Sequence, residues 1–333
     1  MRVSVLESGS WGTALAVSLL KNGHEVTLHS VYEKRSDELK SMGENRYLPG
    51  VKLPEDMRYS DGFSELSHAD AVVFATPSYA LRTTAAAVRG YIPDKTVIVS
   101  ASKGIEAKTT LRLSQIIEEE LGGYDRIVAL SGPSHAEEVG LGMPTGCVAA
   151  SVSFTSAQFV QDIFMSPDLR IYTSSDIIGV ELCGALKNII AITVGICMGM
   201  KHGDNTMAML MTRGLNEIAA LGVALGGRKE TFAGLAGIGD LIVTCTSRHS
   251  RNRRAGFYIG EGLSSSEALK KVGATVEGYY AVLAAMELSD KTGVEMPITS
   301  ELYRILYEDK DPKLASVDLM NRAKKDEHSD LWL

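Results

Sequence analysis

The sequence changes character near Asp176, and this change constrains the fold more than any other feature. Upstream, short runs rich in valine, isoleucine and leucine alternate with segments typical of helices. The runs that predict strands are 3–7, 25–30, 71–76, 96–102, 126–131, 145–150 and 169–172. The segments that predict helices are 11–22, 80–89, 110–121 and 156–165. Such alternation indicates a doubly wound α/β domain, in which helices cover both faces of a parallel sheet.

Beyond Asp176 the β-rich runs stop. Long segments rich in alanine, leucine, isoleucine and methionine follow, broken by glycine clusters at 226–227 and 234–239. This pattern predicts a purely helical region. A chain of 333 residues is long enough for about two domains. We therefore predict a doubly wound domain over residues 1–176 and an all-α domain over residues 177–333.

Charge and cysteine usage exclude several classes of protein. The chain has 34 Lys and Arg against 41 Asp and Glu, and this net charge of −7 argues against a nucleic-acid-binding protein. An apolar content of 45% excludes a disordered chain. The four cysteines show no Cys-x-x-Cys spacing, and the seven histidines form no pair at helical metal-binding spacing. We expect no disulfide, no metal and a reducing, cytoplasmic compartment.

The segment 182–200 is apolar enough to resemble a membrane span. It carries Lys187 and Asn188 in its first half, however, and a lysine deep in a membrane costs about 2.5–3.5 kcal/mol. Gly184, Gly195 and Gly199 suit close packing of helices. We therefore predict a buried helix inside the protein and no membrane insertion.

The N-terminus has the setting of a dinucleotide-binding turn. The apolar strand 3–6 is followed by Gly9-Ser10-Trp11-Gly12 and then by a helix that begins near Thr13. Glycines in such a turn allow a pyrophosphate to approach the helix N–H groups, as in Rossmann-like domains. The full Gly-x-Gly-x-x-Gly pattern also requires a glycine at position 7, where this chain has Glu7. A match at two of three glycines is also compatible with an ordinary tight turn.

The end of the second strand leaves the choice between NAD and NADP open. An NAD site usually carries an acidic residue there to bind the ribose hydroxyls, but His29-Ser30-Val31 contains none. Glu33 lies just beyond. Lys34 and Arg35 follow and are suited to a 2′-phosphate, although solvated surface cations are an equal interpretation.

Eight motifs along the chain resemble those of bacterial NAD(P)-dependent glycerol-3-phosphate dehydrogenase. They are GSWGTALA at 9–16, NRYLPG at 45–50, SKGIE at 102–106, SGPSHAEEV at 131–139, GALKN at 184–188, GLAGIGDL at 234–241, SRN at 250–252 and VEG at 276–278. They occur in order over essentially the whole length. The resemblance implies reversible hydride transfer between a nicotinamide and C2 of dihydroxyacetone phosphate, giving sn-glycerol 3-phosphate. It also implies a homodimer, a small phosphorylated substrate and supply of glycerol 3-phosphate for phospholipid synthesis.

The resemblance also assigns roles to residues. The catalytic residues it implies are Lys187, Asp240, Asn188 and Thr244, with Lys187 as the proton donor. The substrate contacts it implies are Lys103, Gly132, Ser134, Lys187, Asp240, Ser250, Arg251 and Asn252. The contacts to NADP or NAD are Gly9, Ser10, Trp11, Gly12, Lys103, Ala136, Arg251 and Glu277. Burial of Lys187 in an apolar helix would favour its neutral form, as proton exchange requires. Asp240 and Thr244, four residues apart, would share one face of a helix.

Structural interpretations of the same residues stand beside these roles. Lys187 could extend to the surface, and Asp240 could simply cap a helix. The arginines at 248, 251, 253 and 254 suit a phosphate, a nucleic acid or a solvated face. We expect only Arg251 to bind a ligand.

Two positions depart from the family pattern. Glu7 replaces a glycine, so it is either turned away from the cofactor, or weakens its binding, or is an altered position in an otherwise active protein. Ser30 stands where the family often has arginine. Two other functions remain open: a related hydroxyacid dehydrogenase, and a phosphometabolite-binding protein that has lost the dinucleotide through Glu7.

Overall fold

The computed structural model describes residues 1–31 and 34–327, which form two compact units. The first unit contains residues 1–103 and 113–177. The second contains residues 178–327 and also the segment Gly104–Arg112. Within the second unit, Ile105 is buried in the helical core, and Arg112 forms a 2.6 Å ion pair with Glu181. The alternation of strands and helices in the sequence does not reveal that this short segment belongs with the helices.

The strands of the first unit are β1 (Arg2–Leu6), β2 (Glu25–His29), β3 (Glu44–Asn45), β4 (Leu48–Lys52), β5 (Arg58–Ser60), β6 (Ala71–Phe74), β7 (Val97–Ser100), β8 (Ile127–Ser131), β9 (Thr145–Ala150) and β10 (Leu169–Ser174). Eight of them form one sheet in the order β5-β2-β1-β6-β7-β8-β9-β10. The other two, β3 and β4, form a separate two-stranded sheet. All seven predicted strands are present, so the predicted α/β class is confirmed.

One pair of strands departs from the predicted parallel arrangement. β8 and β9 are antiparallel, whereas the other neighbours in the large sheet run parallel. The connection from β8 to β9 contains only the short helix α5 (Ala136–Gly140). Apolar strands show the same burial pattern in either direction, so the direction of β9 was not predictable from its composition.

Helices pack around this sheet. They are α1 (Ser10–Lys21), α2 (Ser36–Met42), α3 (Leu81–Val88), α4 (Leu113–Glu120), α5 and α6 (Phe154–Phe164). The four predicted helices are confirmed as α1, α3, α4 and α6. The two that the sequence did not predict, α2 and α5, have seven and five residues, too few to show a helical period.

The position of β1 defines where this unit is suited to bind a ligand. β1 pairs with β2 on one side and with β6 on the other. The order of strands therefore reverses at β1, and such a reversal opens a crevice at the carboxyl ends of the strands. Helix α1 begins at this point.

The second unit is helical, as predicted. Its helices are α7 (Ile177–Gly199), α8 (Asp204–Ala224), α9 (Lys229–Phe232), α10 (Asp240–Thr246), α11 (Arg251–Gly260), α12 (Ser265–Val272), α13 (Glu277–Thr292), α14 (Pro297–Tyr307) and α15 (Pro312–Met320). A π-helical turn, Leu235–Gly239, leads directly into α10.

Helix α7 is long and apolar enough to cross a membrane, but 94% of its most apolar stretch is buried inside the protein. The prediction that it is a buried helix is confirmed.

Glycines bring α7 and α11 into backbone contact. Each helix carries two glycines four positions apart, Gly195 and Gly199 on α7 and Gly256 and Gly260 on α11. A Cβ at Gly195 would lie 2.1 Å from the carbonyl oxygen of Arg253, and one at Gly256 would lie 2.0 Å from that of Ile192. No side chain fits at either position, so the two glycine pairs set how closely the helices approach.

We expect Gly256→Ala to lower the stability of the second unit, because the added methyl group overlaps a backbone oxygen and forces the helices apart. The expected loss is about 1–3 kcal/mol, measured as a fall in the thermal midpoint. Gly90→Ala is the control, since a Cβ there meets no atom within 4 Å. Equal midpoints for the two variants would show that the contact is not needed.

Helix α14 is capped by a side chain from another helix. The buried carboxylate of Glu217, on α8, accepts hydrogen bonds from the backbone N–H groups of Ile298 (2.6 Å) and Thr299 (3.1 Å) and from the Thr299 hydroxyl (3.0 Å). Burial raises the pKa of Glu217 from 4.5 to about 7, although these bonds and the charge of Arg322 favour the ionised form. Between pH 4.5 and about 7, the folded protein therefore keeps a proton on Glu217 that the unfolded chain has released.

This carboxyl group predicts a pH dependence of stability. Because its folded pKa is raised, its contribution is complete below pH 4.5 and is lost as the pH rises through about 7. The free energy of unfolding of the wild type relative to Glu217→Gln should fall over this range by up to about 1.4 kcal/mol per pH unit. Urea unfolding at several pH values measures it, with the exposed Glu230→Gln as control. A pH-independent difference would contradict the assignment.

Candidate active site

The turn after β1 has the backbone of a dinucleotide-binding turn. Glu7 has a φ of +91°, a conformation that favours glycine. A Cβ at Gly12 would lie 2.0 Å from the carbonyl oxygen of Glu7, so only glycine fits there. A Cβ at Gly9 would meet no atom within 4 Å, and no side chain caps the start of α1. This approachable helix N-terminus fits a pyrophosphate group.

The side chain of Trp11 connects this turn to a neighbouring segment of the chain. Its indole N–H donates a 2.9 Å hydrogen bond to the carbonyl oxygen of Ala101. This bond joins the first turn of α1 to the segment that follows β7. The neighbouring Ser10 begins the helix.

The residues after β2 differ from the expectation for a 2′-phosphate site. Arg35 is only 5% exposed, and its guanidinium donates to both carboxylate oxygens of Glu38 at 2.9 and 3.1 Å. It also donates to the buried side chain of Asn45 at 3.3 Å. The interpretation of Arg35 as a solvated surface cation was therefore wrong, because its side chain is buried and held by an ion pair. Its suitability for a 2′-phosphate stays a prediction. Lys34 is exposed, and Glu33 lies outside the described residues.

A second cluster in the first unit joins the segments that follow β7 and β8. The ammonium of Lys103 donates to the carbonyl oxygen of Gly132 at 2.8 Å and to the hydroxyl of Ser134 at 3.5 Å. The Ser134 hydroxyl donates to the same carbonyl at 3.0 Å. Gly132 has a φ of +150°, and a Cβ there would lie 2.8 Å from the carbonyl oxygen of Gly146. Three predicted site residues thus meet at the carboxyl end of the sheet, and Ala136 begins α5 just beyond them.

In the second unit, a buried lysine meets a buried carboxylate. Lys187, 6% exposed in the first half of α7, forms an ion pair with Asp240, which is 1% exposed. It also donates to the hydroxyl of Thr244 at 2.6 Å. That hydroxyl donates in turn to the backbone carbonyl of Asp240 at 2.6 Å. Lys187 does not extend to the surface, and Asp240 and Thr244 share one face of α10.

Asp240 reaches α7 because of the π-helical turn before it. A Cβ at Gly237 in that turn would lie 2.1 Å from the carbonyl oxygen of Phe232, so the turn requires glycine. Cys245 follows Thr244, and burial raises the pKa of its thiol to about 12. The cysteine is therefore a neutral thiol beside the ion pair and not a nucleophile.

Two asparagines connect three helices next to this ion pair. Asn252 on α11 donates to the side-chain oxygen of Asn188 on α7 at 2.9 Å. The backbone N–H of Gly278, in the first turn of α13, donates to the side-chain oxygen of Asn252 at 2.9 Å. A Cβ at Gly278 would lie 2.6 Å from the carbonyl oxygen of Asn188. Sequence reasoning missed Gly278, although the motif that contains Glu277 included it.

The arginine cluster does not form a single basic face. Ser250 caps α11 by accepting the N–H of Arg253, and Arg251 is exposed in the first helical turn. Arg253 is half-buried, and its guanidinium donates to the carbonyl oxygen of Ser247 at 2.8 Å. Burial and the charge of Arg254 lower the pKa of Arg253. Among residues 1–31 and 34–327, no group of three or more His, Cys, Asp or Glu side chains is placed to hold a metal ion.

A dinucleotide-type turn at the switch point of a largely parallel sheet and, in the second unit, a buried lysine–carboxylate pair are features of nicotinamide-dependent dehydrogenases. Family models carry this further: one for the N-terminus of NAD-dependent glycerol-3-phosphate dehydrogenase matches residues 2–157, and one for its C-terminus matches residues 176–316. The chain belongs to this family. The resemblance seen in the sequence is confirmed.

Individual relatives match this chain over all or nearly all of its length. Glycerol-3-phosphate dehydrogenase (NAD(P)+) from Desulfitobacterium hafniense is 50% identical over 333 residues, which span 100% of this chain and 94% of that protein. The enzyme of the same name from Moorella thermoacetica is 50% identical over 98% of this chain and 97% of its own. The crystal structure of glycerol-3-phosphate dehydrogenase from Coxiella burnetii superposes with a TM-score of 0.91 at 38% identity, covering 96% of this chain and 99% of that one.

We expect Asn252→Ala to loosen the start of α13, because it leaves the buried N–H of Gly278 without its acceptor. The expected cost is about 1–3 kcal/mol of unfolding free energy. Hydrogen exchange of peptides that cover residues 276–280 should become faster than in the wild type. Asn205→Ala, an exposed position on α8, is the control. Unchanged exchange at α13 would show that the bond does not hold this helix.

Proposed function

We propose that this protein catalyses reversible hydride transfer between NAD(P)H and dihydroxyacetone phosphate, producing sn-glycerol 3-phosphate. The observation that carries the proposal is the buried ammonium of Lys187, held between the Asp240 carboxylate and the Thr244 hydroxyl. A charged lysine inside an apolar helix is costly unless it is paired, so its presence calls for a chemical reason. The family and the names of its relatives supply the reaction.

Lys187 is the proposed proton donor. When bound, the nicotinamide supplies the hydride to C2 of the ketone. Lys187 gives a proton to the C2 oxygen during reduction and takes it back during oxidation. Asp240 and Thr244 hold the ammonium in one position, and their burial excludes the water that would weaken this interaction.

The start of α11 is the proposed phosphate site. Ser250, Arg251 and Asn252 occupy the N-cap and the first two helical positions, where the helix N–H groups favour an anion. The guanidinium of Arg251 offers a planar pair of donors that matches phosphate oxygens. Asn188 fixes the amide of Asn252 through their hydrogen bond. In the first unit, Lys103, Gly132 and Ser134 are proposed as further contacts of the substrate.

The dinucleotide is proposed to bind to the turn after β1. Gly9 gives room for the pyrophosphate, Gly12 lets α1 approach the strand, and Ser10 and Trp11 form the first helical turn. The proposed contacts to the dinucleotide also include Lys103, Ala136, Arg251 and Glu277.

The family resemblance also supports a homodimer, a cytoplasmic location and supply of glycerol 3-phosphate to phospholipid synthesis, and we include these in the proposal.

The decisive experiment follows the loss of nicotinamide fluorescence when dihydroxyacetone phosphate is added to the purified protein with NADH or NADPH. Turnover that depends on the substrate supports the proposal. Turnover only with unphosphorylated 2-oxoacids would indicate a hydroxyacid dehydrogenase instead. Binding of glycerol 3-phosphate without turnover or coenzyme binding would indicate a phosphometabolite-binding protein.

We expect Lys187→Ala to reduce kcat by about 10²–10⁴-fold, the range for loss of a general acid. The effect on KM should be much smaller, because the phosphate contacts remain. Lys229→Ala, which removes an exposed lysine in α9, is the matched control and should leave kcat unchanged. If folded Lys187→Ala retained a tenth of the wild-type kcat, another group would have to supply the proton.

A further inference from the structure

We infer that Glu7 makes this protein prefer NAD over NADP, by placing at the end of β1 the carboxylate that dinucleotide sites usually carry at the end of β2. The inference rests on the proposed function, since it concerns the coenzyme of the same site. It assigns a role to the residue that departs from the family pattern.

The backbone places Glu7 beside the end of β2. Leu6 is the last residue of β1 and pairs with His29, the last residue of β2. The N–H of Glu7 then donates to the carbonyl oxygen of His29 at 3.0 Å. On the other side, the N–H of Ala75, just beyond β6, donates to the carbonyl oxygen of Leu6 at 3.1 Å. Glu7 thus lies at the switch point, one strand away from the usual position of the ribose-binding acid.

The end of β2 has no carboxylate in its described part. His29 is buried, with Nδ1 2.8 Å from the carbonyl oxygen of Gly62, and burial lowers its pKa. The hydroxyl of Ser30 is buried and lies 2.9 Å from that of Ser8. The next acid in the sequence, Glu33, is outside the described residues. Among the described residues at this strand end, none offers a carboxylate to the ribose hydroxyls.

The cation that would favour NADP is also committed elsewhere. The guanidinium of Arg35 is held by both oxygens of Glu38 and by Asn45. A 2′-phosphate would have to compete with Glu38 and Asn45 for the guanidinium of Arg35, which is itself buried. In the described part of this strand end, the exposed Lys34 is the remaining cation, and solvent weakens its pull on a phosphate.

The chemistry of the two coenzymes gives the direction of the preference. A carboxylate accepts charge-assisted hydrogen bonds from the 2′- and 3′-hydroxyls of the NAD ribose. The same carboxylate repels the doubly charged 2′-phosphate of NADP. Both coenzymes carry an identical pyrophosphate, so repulsion between Glu7 and that group cancels when their affinities are compared. Half-burial of Glu7 reduces solvent screening and strengthens the discrimination.

The test is a titration of the full-length protein with NADH and with NADPH, read as fluorescence changes, for wild type, Glu7→Gln and Glu7→Gly. The wild type should bind NADH more tightly than NADPH. Glu7→Gln preserves size and removes the charge, so it should lower the ratio of the NADPH to the NADH dissociation constant by about tenfold or more, the effect of one charged hydrogen bond. Glu7→Gly should do the same and also shows whether the longer side chain obstructs binding.

Glu33→Gln is the matched control and should leave this ratio unchanged. The inference is overturned if the wild type binds NADPH as tightly as NADH, or if both Glu7 variants tighten the two coenzymes equally, which would make Glu7 a mere obstruction. It is also overturned if Glu33→Gln, and not Glu7→Gln, shifts the ratio. Turnover of dihydroxyacetone phosphate is measured separately: selective NADH binding without turnover would contradict the proposed function alone, and turnover with an unchanged ratio would contradict this inference alone.

Discussion

The positive charge of Lys187 inside an apolar helix is the constraint around which the second unit is arranged. A buried ammonium destabilises a protein unless a carboxylate and further acceptors surround it. Asp240 and Thr244 meet this need only because α10 begins against α7, and α10 begins there because the glycine-rich π-helical turn permits it. The same pairing keeps the lysine in one place, which is what a proton donor requires. Stability and proposed catalysis therefore depend on one interaction.

The two units share a second feature, which is the position of proposed site residues at the starts of helices. Several of the proposed site residues lie in the first turns of helices α1, α10, α11 and α13. Glycines allow three of these helices to start in contact with another backbone, through Gly12 at α1, Gly237 before α10 and Gly278 at α13. Helix N-termini carry partial positive charge. A reaction whose coenzyme and substrate both carry phosphate is well served by binding residues at such positions.

Local patterns in the sequence were sufficient for seven of the ten strands, for the four longer helices of the first unit and for the burial of α7, because each of these segments shows its own burial pattern and period. The partners with which each segment packs could not be predicted from such local patterns. The antiparallel direction of β9 and the association of Gly104–Arg112 with the helices depend on contacts between distant residues. At the site, the spacing of Asp240 and Thr244 was readable on one helix. The hydrogen bond from the Gly278 N–H to Asn252 spans 26 residues and joins two helices, so no local pattern in the sequence predicts it.

Glu7 shows that the glycines of one motif can be present for two different physical reasons. Its positive φ costs a residue with a side chain about 1–3 kcal/mol. Yet the turn keeps its shape, because the Glu7 N–H is bound to His29 and its carbonyl packs against Gly12. These backbone contacts hold the conformation although position 7 carries a side chain. Position 12 is different, since a Cβ there would overlap an oxygen atom. The first glycine of the motif therefore relieves strain, whereas the last one is sterically required, and only the first can be replaced by a residue with a new role.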